Sequence, residues 1–211
     1  YADLAIKSIE ELEQQGGIAG FLCESILGCA GQVVLPDGYL DRLYALVREK
    51  GGLCIADEVQ VGFGRCGSSW WAFETQNVVP DIVTLGKPIG NGHPMGAVIT
   101  TREIANSFCN GMEYFNTFGG NPVTCAVGIA VLEIIRDEKL IEHAGREGSF
   151  LLREFKKLEE KYSFIGDCRG LGFYLGIEIV VNDSKEPNAD LASVIVQRLK
   201  EEYSILISTD G

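Results

Sequence analysis

The runs LCIADEVQ at 53–60 and DIVTLGKP at 81–88 constrain this chain more than any other feature. Each carries a short, nearly continuous apolar stretch closed by a charge or a glycine. It is too short for a buried helix and lacks the alternation of a strand wetted on one face. Runs of this kind suit strands buried on both faces of a parallel sheet. A third run, IAGFLC at 18–23, precedes them, and a helical stripe of Leu40, Leu43, Leu46 and Val47 lies between. Strand, helix, strand in that order defines an α/β fold.

Later segments extend the pattern. NPVTCAVGIAVLEIIRDE has a proline at its start and reads as a long buried helix, followed by a charged helix from about Leu140 to Lys161. After Gly166 the pattern changes to an alternating strand in GFYLGIEIV and a polar loop VNDSKEPN. A helix with Leu191, Val194, Ile195 and Leu199 and a last strand SILIS complete it. We expect two domains, residues 1–162 forming part of a large domain and 163–211 part of a small α+β one.

A chain of 211 residues, 46% hydrophobic with six prolines, buries about 70% or more of its unfolded surface and needs no metal or disulfide staples. The cysteines, Cys23, Cys29, Cys54, Cys66, Cys109, Cys125 and Cys168, are odd in number and nowhere form CxxC. They fit a reducing compartment, which points to the cytoplasm. A mitochondrial location stays open, because the chain begins at Tyr1 inside a helical pattern and stops directly after a strand pattern, as a piece of a longer protein would. No apolar run approaches a bilayer's thickness, so no membrane span is expected. A formal charge of −12 has the wrong sign for gripping nucleic acid. A bound phosphate would therefore be held by local backbone donors and a few placed side chains.

Ligands of open α/β sheets bind beyond the carboxyl ends of the strands. There stand Asp57, closing LCIAD, and Lys87, thirty residues later, after DIVTLG. By themselves an acid and a lysine at neighbouring strand ends also read as an ion pair. The surrounding segments IADEVQVGFGR, TLGKPIGNGHPMGAV and FNTFGGNPVTCA, in that order and spacing, together with CRGLGFYLGIE, resemble the class III aminotransferase family of fold type I pyridoxal-phosphate enzymes. EVQVGFGR, GKPIGNGHP and the terminal ISTDG resemble in particular the subgroup of ethanolamine-phosphate and phosphohydroxylysine phospho-lyases and alanine-glyoxylate-aminotransferase-like proteins.

The resemblance implies a pyridoxal-phosphate-dependent transferase-like fold, pyridoxal 5'-phosphate as cofactor, and a homodimer acting on a small amine or amino acid and a keto acid. Lys87 is then the Schiff-base lysine, which both captures the aldehyde and moves the substrate's proton. Asp57 pairs with the pyridine nitrogen and keeps it protonated, making the ring an electron sink. Val59 lies under one ring face, Gln60 bonds the phenolic oxygen, and Thr117 binds the cofactor phosphate of the neighbouring subunit. Glu24 matches a further cofactor-site position, although serine follows it at Ser25 where the family has proline. Arg169 matches a substrate-carboxylate arginine, a task suited to its planar fork. Cys29 stands where members handling ornithine or 4-aminobutyrate carry glutamate, which argues against those substrates.

His93, in GNGHPMG, is expected to be structural or to line the pocket, and His143 to be a surface residue. Trp70 and Trp71 are expected in a core or an interface. GKP is no phosphate loop, since neither serine nor threonine follows the lysine. Gly62, Gly64 and Gly67 spell GxGxxG and could open a helix at SSWWAFE, as in a dinucleotide site, but Pro80 comes early with Asp81 directly after it, and Asp57 and Glu58 put negative charge just before the loop. Three functions compete: aminotransferase, phospho-lyase, and a non-catalytic binding or assembly fragment. Of these the aminotransferase is the main expectation. The glycine-rich phosphate segment and ring-stacking aromatic of the family do not occur in this stretch.

Overall fold

The computed structural model describes residues 1–209; Asp210 and Gly211, the end of the ISTDG motif, lie outside them. In chain order the elements are α1 (Ala2–Glu13), β1 (Gly20–Glu24), β2 (Ile26–Leu27), β3 (Val33–Val34), α2 (Tyr39–Glu49), β4 (Leu53–Asp57) and β5 (Ile82–Leu85). They continue with β6 (Ala97–Thr100), α3 (Arg102–Phe108), α4 (Pro122–Asp137), α5 (Leu140–Lys161), β7 (Ile165–Leu171), β8 (Tyr174–Ile179) and α6 (Ala189–Tyr203).

The apolar runs pair as expected. β1, β4 and β5 are parallel, with Glu24 opposite Asp57 and Asp57 opposite Thr84, so the chemistry-bearing residues share one end of the sheet. β6 adds an antiparallel edge. That strand, in GAVIT, carries no distinct signal of its own, because four residues show no usable period.

The stripe on α2 explains the main core. Leu40, Leu43, Tyr44 and Val47 recur at helical spacing and are all buried, packing with Ile9, Cys54, Ala56 and Phe73. Each such side chain contributes about 1.5–3 kcal/mol by leaving water. Beside this core Asp81 is anchored. Its Oδ2 accepts the Cys54 N–H at 2.7 Å and its Oδ1 meets Arg48 Nη2 at 3.0 Å. Burial alone would raise the Asp81 pKa, but these donors outweigh it and hold the carboxyl below its usual range. A lowered folded pKa lends stability above the ordinary aspartate range and loses it as pH falls through the folded value. Asp81→Asn should therefore cost about 1–2 kcal/mol in urea unfolding at neutral pH and flatten the acid limb of the stability curve; an unchanged acid limb would contradict this.

α5 spans Leu140–Lys161, the interval read from its charge pattern. Its two interior glycines cost about 1 kcal/mol each relative to alanine, and the structure shows what they allow. A Cβ on Gly145 would strike the Gly67 carbonyl, and one on Gly148 the Gly172 carbonyl. One face of the helix thus touches backbone at two points, and Ile141 on the same face fills the space over Gly64.

Two expectations are corrected. α4 is not a buried helix: only Gly128 and Ile135 are buried, while Val123, Ile129, Leu132 and Ile134 are exposed, because only one face meets Met95 and the segments beneath. SILIS is not a strand among the described residues. Ser204 is left-handed at φ 55 and Ile205 donates back to Leu199 O, so the segment closes α6 instead of pairing with a sheet. GxGxxG opens no α-helix: turns lead only to a 3₁₀ turn at Ala72–Gln76, and Gly64 and Gly67 seat α5.

Candidate active site

Asp57 ends β4, where its Oδ1 accepts the Val59 N–H at 2.9 Å. This two-residue return bends the chain out of the strand and is ordinary aspartate turn chemistry. Among the described residues no donor meets its second oxygen. On the neighbouring strand, Gly86 leads into Lys87, which opens a 3₁₀ turn over Lys87–Gly90. Lys87 has φ 36, a left-handed value that a residue with a side chain adopts only when its surroundings enforce it. Pro88 and the buried Ile89 and Gly90 supply that enforcement. The Val59 side chain packs on this exit, its Cγ1 3.1 Å from where a Gly86 Cβ would stand. Asp57, Val59 and the backbone of Lys87 are thereby assembled at one sheet end, with Lys87 itself exposed.

The clamp beneath them escaped the sequence reading. Glu58 is fully buried and forms no ion pair among the described residues; its carboxylate accepts Ser25 Oγ at 2.6 Å, the Ala72 N–H at 2.8 Å and the Phe73 N–H at 2.9 Å. Its own N–H reaches Thr84 O at 3.0 Å. Burial raises the Glu58 pKa, and the three donors oppose that rise. Ser25, the departure from the family's proline, is what supplies the hydroxyl. That substitution was the visible signal, and a proline could not donate.

A second polar cluster joins Glu24 and Gln60. Glu24 Oε2 accepts the Gly28 N–H at 2.6 Å; Tyr174 donates from its hydroxyl to Gln60 Oε1 at 3.2 Å; Gln60 Nε2 lies 3.7 Å from Cys29 Sγ. Arg169 stands nearby with its fork engaged by Gly31 O at 2.8 Å, Asp167 Oδ2 at 3.1 Å and Glu178 Oε2 at 2.6 Å. These bonds use three of its five N–H donors.

Thr117 is not brought to this cluster. It sits on an exposed segment in which Met112, Tyr114, Phe115 and Phe118 also face outward. A cleft of about 660 Å³ separates the 118–125 stretch from the turn at 93–96. His93 closes against it, its Nε2 2.8 Å from Thr124 Oγ1, which is a structural contact. His143 is exposed beside Arg146, and Trp71 packs edge-on to Phe63 in a core. Among the described residues there is no cluster able to hold a metal ion and no helix long and apolar enough to cross a membrane. All seven cysteines are unpaired.

A mainly parallel sheet with an acid and a lysine at adjacent strand ends fits the fold of pyridoxal-phosphate-dependent transferases, and solved structures show that fold. A phospholyase from Arthrobacter, crystallised with phosphoethanolamine, matches the whole chain at TM-score 0.94 and 38% identity, over 50% of its own length. A taurine:2-oxoglutarate aminotransferase from Bifidobacterium kashiwanohense, in complex with PLP and glutamate, matches 95% of the chain at TM-score 0.87 and 28% identity, over 47% of its own length. Among curated relatives, the alanine–glyoxylate aminotransferase 2-like protein of Drosophila melanogaster is 51% identical over 205 residues, 96% of this chain and 41% of that protein. A family model for Aminotransferase class-III matches residues 2–209, and the chain belongs to that family. It spans about half the length of the proteins it matches.

Proposed function

We propose that this chain is the part of a pyridoxal-phosphate-dependent aminotransferase that holds the cofactor ring, in a protein that transfers an amino group from an amine or amino acid to a keto acid. The observation that carries this is Asp57 and Lys87 at the ends of adjacent parallel strands, with Val59 packed between them on Gly86. The donor set suits the group: an acid for a pyridine nitrogen, an amine for an aldehyde, a branched aliphatic for a ring face and an amide for a ring hydroxyl. When bound, pyridoxal 5'-phosphate supplies an aldehyde that captures amines and a ring that draws electrons from the substrate Cα.

The residues divide the remaining work. Lys87 holds the cofactor and, once released by substrate, takes the proton from the substrate Cα. Asp57 keeps a proton on the pyridine nitrogen, Val59 covers one ring face, and Gln60 donates to the ring oxygen. Glu24 acts through the Gly28 N–H, shaping the loop against Gln60. Thr117, exposed on its apolar segment, reaches a phosphate only across a second copy of the chain, which makes the protein a homodimer. Arg169 meets the substrate carboxylate with the N–H donors that Gly31, Asp167 and Glu178 leave unused. Residues 1–162 carry the cofactor and 163–211 belong to a smaller domain. Unpaired cysteines favour a reducing compartment such as the cytoplasm.

A phospho-lyase is the second reading, favoured by the whole-chain match to the Arthrobacter enzyme. Both reactions start by removing the Cα proton and differ in whether that charge is reprotonated or expels phosphate. The full-length protein, given alanine with glyoxylate and separately phosphoethanolamine, should transfer nitrogen only when a keto acid is present. Inorganic phosphate released without any keto acid would replace the first reading by the second.

A further inference from the structure

The geometry points to Tyr174 as a positioning residue that decides which way the Gln60 carboxamide faces, so that β8 orients a donor of the cofactor site. This rests on the proposed contact between Gln60 and the ring oxygen. Tyr174 is 8% exposed, its ring packed with Ile26, Val61, Cys66 and Ala72. The ring is thus fixed, and its hydroxyl donates to Gln60 Oε1.

A carboxamide has one acceptor and one two-proton donor. With Oε1 taken by Tyr174, Nε2 must turn the other way, toward Cys29. The Cys29 sulfur is a weak acceptor at 3.7 Å and leaves Nε2 able to donate elsewhere. Gly28 makes the arrangement possible. A Cβ there would collide with the Tyr174 hydroxyl and stand 2.9 Å from Glu24 Oε2 and 3.1 Å from Gln60 Nε2. Three polar ends therefore converge over one bare Cα, and the Gly28 N–H, bound to Glu24, holds that Cα in place. Were the amide reversed, Oε1 would face the ligand, and a ring oxygen would meet an acceptor in place of a donor.

The test uses the full-length protein and two readouts: the dissociation constant of pyridoxal 5'-phosphate, and the pH midpoint of the bound cofactor's absorbance change. Tyr174→Phe keeps the ring and removes the hydroxyl. It should weaken cofactor binding about three- to tenfold and shift the pH midpoint. In a Gln60→Ala background the same change should add nothing, because Tyr174 acts through Gln60. Equal losses in both backgrounds, or an unmoved pH midpoint in Y174F, would overturn the proposal. If Gln60→Ala alone changes neither readout, the assignment of Gln60 to the ring oxygen falls as well. If Gln60→Ala has its effect and Y174F none, only the role of Tyr174 is lost. Should Y174F fail to fold, Tyr174→Met carries the same expectations.

Discussion

Replacing Lys87 by alanine should lower amine transfer in the full-length protein by about a thousandfold or more and abolish covalent retention of the cofactor. One amine performs two tasks, capture of the aldehyde and movement of the Cα proton, and the second alone is worth about 10²–10⁴-fold. The left-handed backbone at φ 36 sharpens the expectation. Strain of this kind persists where the surroundings impose it, so a lysine elsewhere would not inherit the same exit from β5. Borohydride reduction followed by denaturation and mass measurement reads the result. Cofactor still bound covalently to the alanine variant would show that another lysine serves.

Glu58→Ala should be the most damaging change that touches no reacting group. It orphans the Ser25 hydroxyl and two buried backbone amides at once, and each unsatisfied buried donor costs about 1–3 kcal/mol, giving a loss of about 3 kcal/mol or more. Glu58→Gln keeps one acceptor and should lose less. The pH dependence separates them further. Burial raises the folded pKa of Glu58, so the stability tied to its proton is complete below the ordinary glutamate range and is lost as pH rises through the folded value. Urea unfolding across that interval should show stability falling with pH in the parent and no such slope in the glutamine variant. A parent without the slope would mean the three donors fully offset burial.

Much of the fold was legible because its signals are local. The stripe Leu40, Leu43, Leu46, Val47 is a property of one helix, although the buried face takes Tyr44 in place of Leu46, and LCIAD and DIVTL are properties of single strands. Long-range partnership was not legible. SILIS alternates like a strand, yet a strand exists only where an edge receives it. α4 is apolar on most sides, yet Val123 and Ile129 find no cover within this chain.

The candidate site divides the same way. Asp57, Val59 and Lys87 stand in contiguous motifs whose spacing places them together. Glu58, Ser25, Gly28 and Tyr174 work through contacts across as many as 146 positions, Gly28 to Tyr174, and no window of sequence holds such a pair. The one printed clue was the serine at position 25, which looked like a mild departure and proved to be a hydrogen-bond donor.

The seating of α5 has a mechanical consequence. Side-chain contacts can swivel by changing rotamers, but Gly145 on Gly67 and Gly148 on Gly172 are backbone on backbone, with nothing to rotate. The helix therefore behaves as a keyed shaft. The β7–β8 turn, the loop that follows Gln60 and α5 meet at one joint, since Gly172 abuts both Gly148 and the Arg65–Cys66 backbone and the Phe173 N–H bonds Arg65 O at 2.9 Å.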